Sequence, residues 1–299
     1  MKRIFEQYNK CLICPRECGV NRNSGERGIC ASGSVPKVAG ASLHLWEEPV
    51  ISGECGSGTV FFSGCSLKCS FCQNRQISRE CIGKEMSAVE LADLFLSLEK
   101  RGAHNINLVT PTHFTPHICR AVDLAREKGL NIPIVYNTSS YDKVSSLEEL
   151  RGMVDIYLAD FKYYLKETAK KFSKAENYPD VARAAIAEMV KQQPTPVIEN
   201  GLMKKGVIVR ILLLPAHLAE AKLITKELYK TYGDSIYISL MNQYTPPQGM
   251  PAPLNRPVTK SEYNELTDYA IKLGIKNCFI QEDGTVSESF IPPFDLANG

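Results

Sequence analysis

The sequence predicts an α/β fold built on a parallel sheet, and two observations predict it. Apolar strand-like runs begin near residues 59, 106, 132, 155, 207 and 236, with helix-patterned segments between most of them. Alternation at this spacing calls for right-handed βαβ units around one sheet. At 299 residues the chain is also long enough to bury one large core, and single α/β barrels commonly reach this length. Six units suit an open or closed barrel, whose chemistry gathers where the strands end.

Residues 1–57 read as a cysteine-rich extension and connector, and residues 58–299 as the barrel with a C-terminal extension. In the extension, Cys11, Cys14, Cys18 and Cys30 supply a full set of four thiolates. Four ligands suit either structural zinc or a closed 4Fe-4S cluster. A segment with so few large apolar groups needs such a staple to fold. Residues 35–57 are glycine-rich and read as a connector that packs the extension against the barrel. His44 and Trp46 within it read as a packed amphipathic pair rather than ligands. Cys55 and Cys81 lack metal spacing and read as ordinary thiols.

The first barrel strand runs into Gly64, and three cysteines follow as Cys65-x3-Cys69-x2-Cys72. Such a strand delivers a metal-binding loop, with Gly64 allowing the tight turn between them. Three thiolates leave one iron of a 4Fe-4S cube open, whereas structural zinc takes four ligands in a closed tetrahedron. Ser87 and Glu90 then form a capping box for a helix with Leu91, Leu94, Phe95 and Leu98 on one face. Strands at 106–110, 132–138, 155–161, 207–214 and 236–243 follow. Helices are expected at 115–128, at 145–149 behind a serine cap, and at 181–191, 218–232 and 261–273. Residues 162–178 interleave lysines with aromatics, as either a solvated amphipathic helix or a partner-docking face. The proline-rich residues 245–257 read as a stiff loop over the barrel mouth.

Polar residues at the strand ends are the candidate ligand contacts. Thr110 and Thr112 offer hydroxyl and carbonyl groups after the second strand. Pro116 favours a loop or helix start between His113 and His117, so His113 is expected to line the pocket rather than share a metal with His117. Asn137 lies in a polar run that serves either ligand binding or a hydrogen-bonded turn. Asp160 and Lys162 fall on one side of their strand by alternation. Arg210, inside an apolar strand, needs a carboxylate partner. Met241 packs either on a ligand ring or in the core.

Net charge is +2, which gives no field for nucleic acid or a membrane surface. No secretory leader or membrane span is evident, so a cytoplasmic protein is expected. Eleven cysteines in a reducing compartment are better explained by metal than by disulfides.

The loop Cys65-x3-Cys69-x2-Cys72, with Phe71 and Asn74 around its last cysteine, resembles the signature of radical S-adenosylmethionine (SAM) enzymes. The longer string GCSLKCSFCQN is similar to the branch of pyruvate formate-lyase activating enzymes, and CPRECGVNR with GERGIC resembles the N-terminal extension of uncharacterised relatives. The resemblance implies a partial (β/α)6 barrel. It implies a 4Fe-4S cluster on Cys65, Cys69 and Cys72 whose open iron chelates SAM. It further implies a SAM cradle drawn from Asn74, Thr110, Thr112, Asn137, Asp160, Lys162, Arg210 and Met241, the Asp160-x-Lys162 pair being similar to one in activating enzymes. An electron from a donor such as flavodoxin or ferredoxin would cleave SAM to a 5′-deoxyadenosyl radical, which abstracts hydrogen from a substrate. That substrate is a glycyl-radical enzyme if the chain acts as an activating enzyme, and otherwise a peptide or small molecule. The glycine-rich GGEP-like turn that activating enzymes usually carry after the second strand is replaced here by Thr110-Pro111-Thr112. A non-catalytic iron–sulfur electron carrier is the remaining alternative, although Asp160, Lys162 and Arg210 would serve no purpose in one.

Overall fold

Seven parallel strands lie side by side in their chain order, and that order sets the shape of the molecule. The computed structural model describes residues 6–281. The parallel strands are β2 (Ser57–Phe62), β4 (Ile106–Val109), β5 (Ile134–Thr138), β6 (Ile156–Asp160), β8 (Leu202–Leu212), β9 (Tyr237–Met241) and β10 (Cys278–Ile280). Because the order never reverses, every right-handed crossover returns on the same face, and the sheet curls toward a barrel. The part of the expected C-terminal extension beyond residue 281 lies outside the described residues.

Six crossovers join the parallel strands, as the sequence predicts. Their helices are α1 (Ala88–Lys100), α2 (Thr115–Glu127), α3 (Val144–Glu149), the pair α4 (Lys166–Ser173) and α5 (Tyr178–Gln192), α6 (Leu218–Tyr232) and α7 (Lys260–Leu273). The Ser87–Glu90 capping box opens α1. Helix α3 differs from expectation, since it starts after Lys143 without a side-chain cap, and Ser146 instead donates to the Ile13 carbonyl at 2.7 Å. Helix α5 starts three residues earlier than expected, with Pro179 in its first turn, where a missing N–H costs little.

Period-two alternation sorts the strand side chains. Val60, Leu108, Tyr136, Tyr157, Val209 and Ile238 face the helices in the main core. Val135, Ile156, Leu158 and Ile208 point inward and form a separate apolar floor with Met203 and Ile51. Ile51 comes from a single helical turn, Pro49–Ser52, which plugs the interior from the N-terminal side. Above the floor the inward positions turn polar, with Asp160, Arg210 and Ser239 adjacent in register across β6, β8 and β9.

Residues 37–44, read as connector, are instead strand β1 (Lys37–His44), paired antiparallel with β2 and carrying the two-residue β3 (Lys84–Glu85) on its other edge. Its glycine and alanines hide the strand pattern in the sequence. A short β7 (Val197–Glu199) forms a hairpin with β8. The four-cysteine segment packs on the flank around a small core of Tyr8, Cys11 and Ile13. The aromatics of residues 162–178 turn inward: Tyr163, Phe172 and Tyr178 are buried, and Phe71 of the cysteine loop packs against the first two.

Candidate active site at the barrel mouth

The loop after β2 is held from several sides, mostly through its backbone. Gly64 has φ +86°, and a Cβ there would meet the Cys30 carbonyl oxygen at 2.7 Å, so the chain can turn only as glycine. Arg16 reaches in from the N-terminal segment and donates to the Ser66 carbonyl at 2.8 Å. Arg79 donates to the Cys69 carbonyl at 3.2 Å, and Ser70 N–H to the Phe172 carbonyl at 2.7 Å. Gln73 ties the far end to the Gln243 carbonyl beyond β9 at 2.9 Å.

So fixed, Cys65, Cys69 and Cys72 line one cavity of 260 Å³, together with Asn74, Thr110, Asn137, Asp160, Lys162, Arg210 and Met241. Seven of the eight expected cradle residues therefore meet the three thiols in one place. Thr112 does not. Thr110 takes a left-handed backbone (φ +58°) and Pro111 begins a tight turn. This tucks Thr112 into a buried network beside Thr138 and Asp142. His113 also departs from expectation: it lies fully buried behind the loop, with Nε2 2.9 Å from the Ser63 carbonyl, and does not line the cavity. His117 pairs with the Tyr8 hydroxyl at 3.0 Å. The loop at 245–257 contributes no lining residue; its Leu254 is buried and its carbonyl accepts from Tyr244.

The charged side chains form one connected set. Asp160 sits between Lys162 Nζ at 2.7 Å and Arg210 Nε at 2.7 Å. Burial works to raise the Asp160 carboxyl, but Arg210 and Lys162 more than reverse it and hold it below the usual carboxylate value. Burial works equally to lower Lys162, and Asp160 outweighs it, so the amine stays charged. Arg210 also donates to Asn137 Oδ1 at 2.7 Å and to Glu47 Oε2 at 3.1 Å.

Glu47 is the residue that sequence reasoning missed. It follows β1, and its other oxygen accepts from Asn107 at 2.9 Å and Asn137 at 3.3 Å. An arginine in an apolar strand signals that a carboxylate must exist somewhere, but nothing local marks a glutamate 163 residues earlier. His44 and Trp46 also line the cavity, Trp46 with 57% of its surface exposed.

The thiols themselves are costly to ionise unaided. Burial pushes Cys65 up to about 12, with Cys69 adding to the effect, and raises Cys72 as well. Among the described residues, no three His, Cys, Asp or Glu side chains are placed to hold a single metal ion. Three thiols facing one roomy cavity with a fixed cation–anion network beside them fit a multinuclear iron–sulfur group that leaves a ligand position open.

Comparison with known proteins bears on the family of the chain. A family model described as "Radical SAM superfamily" matches residues 59–207. The chain is 30% identical over 288 residues to "Uncharacterized protein MJ0674" of Methanocaldococcus jannaschii, covering 92% of this chain and 77% of that one. This chain belongs to the radical SAM superfamily. Among solved structures it is similar to "Native anSMEcpe with bound AdoMet and Kp18Cys peptide" (TM-score 0.49, 13% identity, 71% of this chain and 57% of that one). It is similar also to a histidine-tagged form of anSMEcpe with bound AdoMet (TM-score 0.49, 14% identity, 71% and 55%). The chain spans a little over half the length of each of those two structures. As a radical SAM protein its family implies a 4Fe-4S cluster and SAM. No helix among the described residues is long and apolar enough to cross a membrane.

Proposed function

We propose that this protein is a radical SAM enzyme that uses the barrel-mouth cavity to cleave SAM reductively and abstract hydrogen from a substrate. The observation that carries the reading is the convergence of Cys65, Cys69 and Cys72 with Asp160, Lys162 and Arg210 around one cavity. Bound there, the cluster and SAM supply the one-electron cleavage and the radical, with the electron drawn from an external donor such as flavodoxin or ferredoxin.

The chain's own residues bind, orient and shield. Cys65, Cys69 and Cys72 would hold the cluster. Lys162 would meet a carboxylate, and Asp160 an ammonium or ribose hydroxyls. Asn74, Thr110 and Asn137 offer polar contacts, and Met241 an apolar one. The apolar floor around Ile51 closes the interior against water from below.

The finer reading is an activating enzyme similar to those of pyruvate formate-lyase, acting on a glycyl-radical partner. The string GCSLKCSFCQN supports it. The Thr110-Pro111-Thr112 turn in place of a glycine-rich one favours the second reading, a peptide or small-molecule substrate. We propose also that Cys11, Cys14, Cys18 and Cys30 hold a second metal group, zinc or an iron–sulfur cluster. Cys11, Cys14 and Cys30 are buried together near Cys18, which supports one shared site.

Electron paramagnetic resonance of the reduced, reconstituted protein tests the barrel-mouth site. SAM is expected to shift the cluster signal, and in Asp160→Ala the same shift is expected to need about 10- to 100-fold more SAM. A signal indifferent to SAM in the wild type contradicts the proposal.

A further inference from the structure

A second cavity, of 340 Å³, adjoins the first and shares Trp46, Glu47, Arg210, Met241 and Gln243 with it. Its own wall adds Glu48 and Ser239. Glu48 is rigidly placed, because its carbonyl accepts from Ile51 N–H at 2.8 Å and Ser52 N–H at 3.0 Å in the turn that plugs the barrel.

Charge does not balance around this cavity. Arg210 directs its donors to Asp160, Glu47 and Asn137, and Lys162 directs its ammonium to Asp160. Asp160, Glu47 and Glu48 thus set three carboxyl groups against two cations, and burial raises both glutamates, because this many acids are hard to keep ionised here without a further cation. The remaining acid is Glu48, which is 7% exposed; Ser239 hydrogen-bonds to its side chain and Arg210 lies near it, but its Oε2 accepts no hydrogen bond among the described residues. A buried carboxylate without a full complement of partners is costly, and the cost is relieved by a cation. Burial raises the Glu48 carboxyl, Arg210 opposes it, and Glu47 adds to the rise. Trp46 on the shared wall offers an aromatic face that suits an organic cation.

We infer that this second cavity takes a primary ammonium group of the substrate, paired with Glu48, and directs the rest of that substrate across the shared wall toward the cysteine-lined cavity. Naming the occupant a substrate rests on the proposed radical SAM function. The amine site itself does not.

The test is calorimetric titration of the anaerobic holoprotein with N-acetyl-lysine methylamide, with cadaverine, and with the neutral isostere N-acetyl-norleucine methylamide. Saturable binding of an amine at least about tenfold tighter than the isostere is expected, since a charge-assisted bond of this kind contributes on that scale. The lysine compound binding tighter points to a peptide substrate, and cadaverine binding tighter to a free amine. The preference is expected to disappear in Glu48→Gln while SAM still binds. Should Glu48→Gln fail to fold, Glu48→Asp decides the matter: a weaker amine and an unchanged isostere uphold the site. No amine preference in the wild type overturns the inference, as does a preference that survives in Glu48→Gln or is undiminished in Glu48→Asp. Amine binding without SAM binding would leave this site standing and sink the proposed function, and the converse result would do the reverse.

Discussion

Two cysteine-bearing segments lie against each other in this molecule, and they differ in what surrounds the sulfur. Cys65, Cys69 and Cys72 open onto a cavity walled by Asp160, Lys162 and Arg210. The four cysteines at 11–30 line neither that cavity nor the one beside it; their neighbours are Tyr8, Ile13 and the buried Arg22, whose guanidinium lies 4.2 Å over the Tyr8 ring and donates to the His113 carbonyl at 2.6 Å. Burial pushes Cys14 up to about 12, much as it does Cys65. Burial thus raises a thiol in each set, so the difference between them lies in access. One set faces a space where a ligand can enter, while of the other Cys11, Cys14 and Cys30 are buried and Cys18 is partly exposed. On this basis we propose that the first set serves chemistry and the second serves folding.

The largest effects should separate the two sets. Cys69→Ala is expected to reduce 5′-deoxyadenosine formation to background and to leave the thermal unfolding of the N-terminal segment intact. Cys14→Ala is expected to act through the fold. Structural metal binding can supply about 10 kcal/mol or more to a small segment, so its loss should expose residues 6–33 to limited proteolysis. A Cys14→Ala protein that resists proteolysis like the wild type yet has lost SAM cleavage would break the comparison.

Next comes the charge network. Asp160→Ala takes the carboxylate partner from Lys162 and leaves Arg210 with Glu47, and breaking a buried pair in this way costs about 3–5 kcal/mol. SAM affinity should fall by about 10- to 100-fold, read by equilibrium dialysis. A stable variant with unchanged affinity would remove Asp160 from the cradle.

A smaller effect should follow pH. The Glu48 carboxyl is raised in the folded protein, so above that raised value the ionised acid costs stability, and the cost is relieved as pH falls through it. Glu48→Gln should therefore melt higher than the wild type at neutral pH, with the gain shrinking toward the ordinary glutamate value. The lowered Asp160 behaves in the opposite sense: its stabilisation is present above the ordinary carboxylate value and is lost as pH falls through the lowered one. A gain in Glu48→Gln that grows in acid would contradict the assignment. Smallest of all is the exposed Lys170–Glu176 pair, 2.9 Å apart, whose removal by Lys170→Ala should leave the melting temperature unchanged.

Much of this was legible in the sequence for a definite reason. The six βα units show because each strand carries its own apolar run, and the cysteine loop shows because its ligands lie within eight residues of one another. Asp160, Lys162 and Arg210 are readable by alternation and by the cost of a charge in an apolar strand. Glu47 and Glu48 are not, because their partners come from strands far along the chain. Strand β1 is hidden by Gly40 and by small residues, which lower strand propensity while the pairing with β2 restores it. Thr112 misleads because one left-handed residue, Thr110, redirects the chain after β4.

The central claim is that the barrel mouth performs SAM cleavage. The most direct test loads the protein anaerobically with iron and sulfide, adds dithionite and SAM, and quantifies 5′-deoxyadenosine beside a variant with Cys65, Cys69 and Cys72 replaced by alanine. The account predicts product in the wild type and background in the variant. Equal product from both, or none from a wild type whose barrel-mouth cluster is verified intact and whose substrate-like amine is present, would contradict it.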